Sequence, residues 1–86
     1  DCHGENDVPI VPDVGMFASF DPVALDMACA DAVNKQPMIE GSRLSEMPHV
    51  HHDHFTDNHP ETNWMSSIEH AVKLGIGSRE YELIEI

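Results

Sequence analysis

Basic residues are scarce in this sequence. Four Lys and Arg stand against sixteen Asp and Glu, a formal net charge of −12 over 86 residues. A surface that grips nucleic acid through its phosphates needs clustered positive charge, so that class of partner is excluded. Long apolar runs are missing as well. No uninterrupted hydrophobic stretch exceeds four residues, far below the roughly 20 that span a bilayer, so no membrane partner is expected. Cysteine is limited to Cys2 and Cys29, too few for a disulfide scaffold. Cys29 sits beside alanines, which suggests a buried thiol in a reducing, cytoplasmic compartment. A Cys2–Cys29 bridge stays open on sequence grounds.

What remains is a small acidic chain. Residues 1–86 are expected to form a single domain. At this length only about 60–65% of the unfolded surface is buried on folding, and negative self-repulsion lowers stability further. The first residue is Asp1 rather than Met, and no basic segment leads into an apolar one. Together these features suggest a fragment of a larger protein. Its expected partners are the missing N-terminal part of that protein or a second chain, with homo-oligomerisation left open.

The order of elements reads as follows. Residues 1–20 are expected to be extended or in short strands, with Pro9 and Pro12 restricting the first apolar segment to a sheet edge. Asp21-Pro22 marks a helix start, because Asp accepts backbone N–H groups and Pro needs none at the first helical position. The helix should occupy 21–35, with Leu25, Ala28, Cys29, Ala32 and Val33 on one apolar stripe and Asp31–Lys35 as an i, i+4 pair. Residues 36–61 read as a long His-rich loop with three prolines and one glycine. A second helix is expected over 62–75, capped by Thr62 or Asn63, with Trp64, Ile68, Ala71 and Val72 inward. Gly75 and Ile76 suit its left-handed exit. Residues 80–86 alternate Tyr81, Leu83 with Ile84, Ile86 and predict a C-terminal strand. The fold class expected is therefore α/β or α+β, a small two-helix unit with short strands.

The string DCHGENDVPIVPDVGMFASFDPVALDMACADAVNK, a Trp-containing helix and the ending LGIGSREYELIEI carry a family likeness. They resemble the C-terminal part of the domain-of-unknown-function family 362, bacterial and archaeal proteins labelled as iron–sulfur centre proteins. The resemblance covers most of the chain. It implies an iron–sulfur or redox association in the full-length protein, with this piece as scaffold and Cys2 as a cofactor ligand. Two departures are plain. The closely spaced cysteines of the ferredoxin-like module in some members do not occur here, and the C-x-C pair seen near the start of others is reduced to Cys2.

Three sets of residues could carry chemistry. His49, His51, His52, His54 and His59 crowd one segment with Asp53 and Asp57 among them. Imidazole favours Zn²⁺ and Ni²⁺, so a divalent-metal-binding module is one reading; a solvated polar loop is the other. Cys2 and His3 offer a thiolate and an imidazole, which is too few ligands for a four-coordinate centre without His-loop or partner groups. Asp13, Asp21, Asp26 and Asp31 are the acidic set. Asp21 reads mainly as a helix cap, and an enzyme site completed by upstream sequence is a further alternative. Trp64, Phe17 and Phe20 are expected in the core.

Overall fold

Four helices, α1 (Pro22–Asn34), α2 (Arg43–Glu46), α3 (His54–Asn58) and α4 (Met65–Lys73), supply the regular structure of residues 8–49 and 52–86, which the computed structural model describes. Among the described residues there is no strand. The expected α/β or α+β class is thus corrected to an all-helical one. The physical reason is that a strand belongs to a pair. Residues 80–86 have the alternation of a strand, but no neighbouring backbone forms a ladder with them. The 8–20 segment has neither helix nor strand and is tied to the rest of the chain by the Ile39 N–H donating to the Ile10 carbonyl at 2.7 Å.

α1 begins where the Asp-Pro pair places it. Asp21 has extended backbone, and its carboxylate accepts from Val23 and Ala24 N–H. α1 buries Val23, Ala24 and Ala30, whereas Leu25, Ala28, Cys29, Ala32 and Val33 are only half-buried. The expected single stripe is corrected accordingly. α1 packs against both α3 and α4, so partial cover is spread around it.

The 36–61 segment is not wholly irregular, for it contains α2 and α3, each about one turn. Leu44 of α2 is completely buried beside Ser42, whose hydroxyl donates to the Ile39 carbonyl at 2.5 Å. α2 lies against α3. α4 starts at Trp64, which caps it without a side-chain bond, not at Thr62 or Asn63. Its exit matches expectation. Gly75 has φ +77°, its N–H donates to the Val72 carbonyl, and the Ile76 N–H donates to the Ala71 carbonyl, both at 3.0 Å. These are the two crossed bonds of a Schellman motif.

Among the described residues the buried apolar set is small: Val23, Ala24, Ala30, Leu44 and Ile68. Trp64 and Phe17 are half-buried, and Phe20 is fully exposed, against the expectation of a core position. Among the described residues no helix is long and apolar enough to cross a membrane.

Candidate functional site

The histidine segment is held by its own backbone and by α1. His54 begins α3. Its N–H donates to the Asn34 side-chain oxygen at 2.9 Å, and its Nε2 lies 2.7 Å from the Gln36 carbonyl. His49 Nε2 lies 2.9 Å from the Leu44 carbonyl. A carbonyl can only accept, so Nε2 carries the proton in both rings and Nδ1 keeps the lone pair of the neutral form. His52 is exposed with φ 57°, a left-handed conformation uncommon outside glycine. His59 is exposed, its Nδ1 3.8 Å from Glu61 Oε1. Cys2, His3 and His51 lie outside the described residues. Among the described residues, no three His, Cys, Asp or Glu side chains gather as a metal site would require.

Asp53, at the centre of the segment, is tied most tightly. Its carboxylate caps α3 by accepting from Phe55 N–H and from the Thr56 hydroxyl, each at 3.0 Å, and also accepts from Trp64 Nε1. Phe55 and Trp64 meet at a ring-centroid distance of 5.4 Å. Burial pushes the Asp53 carboxyl up, but the bonds from Trp64, Thr56, Phe55 and Asn34 outweigh it and hold it below the ordinary carboxylate value. Asp53 therefore fastens the start of α4 to α3. Asp53→Ala should leave the indole N–H without its carboxylate. Trp64 emission should move to longer wavelength, and urea denaturation should register a loss of about 1 kcal/mol.

Beside this knot, α1, α3 and α4 enclose an open apolar cleft of about 260 Å³. Cys29, Asp26, Phe55, Trp64 and Ile68 line it. Cys29 is a free, half-buried thiol, not the fully buried one expected. His, Lys and Arg are all absent from the cleft lining, so nothing there activates it as a nucleophile.

The acidic set divides. Asp13 and Asp26 are exposed. Both oxygens of Asp21 are engaged: Oδ1 accepts from Val23 N–H at 2.9 Å and Ala24 N–H at 3.0 Å, and Oδ2 accepts from Ser78 N–H at 3.0 Å. Gly77 permits that approach, since a Cβ there would stand 2.0 Å from Asp21 Oδ1. Asp31 Oδ2 takes the Tyr81 hydroxyl at 2.5 Å instead of pairing with Lys35. That bond, then partial desolvation and the nearby negative charge, raise the Tyr81 hydroxyl above its ordinary pKa. The C-terminal segment thus hangs from α1 at two points. Sequence reading identified Asp21 as a cap but had no signal for Ser78 or Tyr81, which lie 57 and 50 residues from their partners.

No protein-family model, curated protein or solved structure matches the chain.

Proposed function

We propose that this chain is a scaffold piece of an iron–sulfur-associated protein, as the family-362 resemblance implies, and that further polypeptide covers its apolar side. The balance of buried and exposed apolar residues carries the scaffold reading. Among the described residues the buried apolar set is five small or medium side chains, while Met16, Phe20, Leu74, Ile76, Leu83, Ile84 and Ile86 stand exposed. The accessible surface is 6709 Å² for 9.6 kDa, where a compact monomer of that mass exposes about 5,100 Å². The radius of gyration is 14.2 Å, where about 12 Å is typical of 86 residues. Exposed apolar surface of this kind marks sites of protein interaction.

The chain does not furnish a cluster site by itself. Iron–sulfur clusters are held mainly by several thiolates; only Cys2 and Cys29 are present, and Cys29 faces the apolar cleft. The other ligands would come from the covering polypeptide, with Cys2 as the one contribution from this piece. Anaerobic treatment of a longer polypeptide with iron and sulfide should give charge-transfer absorbance that Cys2→Ser weakens. A folded sample with no such absorbance overturns the cluster reading. Dye uptake tests the scaffold reading separately: the chain alone should bind anilinonaphthalene sulfonate, and a chain that binds none overturns it.

One observation favours a second reading, divalent-metal binding by the 49–59 segment. Nε2 anchoring of His49 and His54 on carbonyls is the outer hydrogen bond that metal-ligating imidazoles commonly make, leaving Nδ1 as the donor atom. Titration with Zn²⁺ or Ni²⁺ should move the imidazole resonances of His49 and His54. Unchanged resonances up to millimolar metal remove this reading.

A further inference from the structure

We infer that the face around Asp21 and the C-terminal segment docks an apolar protein surface rimmed by Lys and Arg, and that it does not dock a second copy of this chain. The inference rests on the scaffold reading and adds the chemistry of what covers it. Asp21 draws three pieces of chain together. Its own N–H donates to the Ser19 hydroxyl at 3.0 Å, its carboxylate starts α1, and its second oxygen holds Ser78. Exposed Phe20 precedes it, and exposed Leu74 and Ile76 lead into the Gly77-Ser78 contact. The Tyr81–Asp31 bond then fixes the chain again, and beyond it Leu83, Ile84 and Ile86 face outward. Phe20, Leu74 and Ile76 are therefore borne by backbone held close to the Asp21 anchor, which lowers the ordering cost of binding, while Leu83, Ile84 and Ile86 follow the Tyr81 anchor.

Charge decides the occupant. Glu80, Glu82 and Glu85 are interleaved with the apolar residues, and Arg79 is the single cation in the 75–86 segment. A two-fold pairing would set the same acidic patch against itself, and the whole chain would bring another −12. Like-charge juxtaposition of that kind suppresses association. A surface with an apolar centre and a basic rim meets both features at once.

The test uses two synthetic amphipathic helices that share one leucine face and differ in flanking residues, Lys and Arg in one and Glu in the other. Each is titrated into the intact chain and followed by amide NMR. The basic peptide should bind, with shifts concentrated at residue 20, at 74–78 and at 83–86. Its affinity should fall several-fold as salt rises from about 50 to about 500 mM. Phe20→Ser and Ile84→Ser should each weaken it about tenfold with helix content unchanged, because neither side chain is buried. Equal binding of the acidic peptide, dimerisation through these residues at low salt, or full affinity in both variants overturns the inference. If neither peptide binds while dye uptake persists, the charge rule fails and the scaffold reading stands. If dye uptake is also absent, both fail.

Discussion

Asp21→Ala should lower the melting temperature by about 5–10 °C and release Ser78 from the start of α1. The effect is large for one surface-accessible side chain because a single carboxylate serves two structures. Its Oδ1 satisfies the Val23 and Ala24 N–H groups at the start of α1, which have no helical partner. Its Oδ2 holds Ser78 from the far end of the chain. Asp21→Asn keeps an acceptor for the helix and loses the charge, so its melting point should fall between the two. Gly77→Ala attacks the same contact from the other side, since its methyl would displace the carboxylate. Circular dichroism gives the helix loss, and the Ser78 amide shift reports the broken tether.

The same carboxylate sets an acid limit. N–H donation from Ala24 and then from Ser78 holds Asp21 below its ordinary value; partial desolvation opposes this, and Val23 adds to it. A depressed carboxyl contributes stability that is fully present above the unfolded value, near 3.8, and is lost as pH falls through the folded value. The difference in melting point between the wild type and Asp21→Asn should therefore be constant at neutral pH and shrink in acid below that value. A difference that stays unchanged down to the acid limit would show that the charge is not what holds Ser78.

Leu44→Ala should cost about 2–3 kcal/mol, read as a shift in the urea midpoint. Leu44 is the largest completely buried side chain among the described residues, at 0% exposure. The low end of the usual range applies because α2 is only four residues long and its surroundings can partly close on the space. The loss should also reach the histidine segment, because the Leu44 carbonyl accepts from His49 Nε2 and from Met47 N–H. His49 should therefore change its NMR shift in Leu44→Ala, while Leu44→Met, with nearly conserved volume, should cost less than about 1.5 kcal/mol. An unshifted midpoint in the Ala variant would mean that α2 contributes nothing to the fold.

The parts legible in the sequence are those written in local punctuation. Asp21-Pro22 and Gly75-Ile76 each state a backbone requirement within two residues, and both helix ends fall where they direct. The short helices α2 and α3 were not legible, because four or five residues are too few to show a period of 3.6. The expected terminal strand is absent for a different reason. Alternation in Tyr81–Ile86 describes a two-faced segment, while strand structure depends on a neighbour that no local pattern encodes. The site divides in the same way. The histidine crowding is compositional and visible, but its anchors are the Leu44 and Gln36 carbonyls, which only the fold brings near. Asp53 stands out in the sequence only as a neighbour of histidines, because its bond joins it to Trp64, the residue that caps α4, eleven positions away.

The suspension of the final residues from α1 has a mechanical consequence. Two rivets ten helix positions apart, Ser78 on Asp21 and Tyr81 on Asp31, make a strap that peels from its loose end. Ile86 lifts at no expense, Tyr81 lifts next with one bond broken, and only the last rivet is shared with a helix start. Detachment would be stepwise, and the final step alone would be felt by α1.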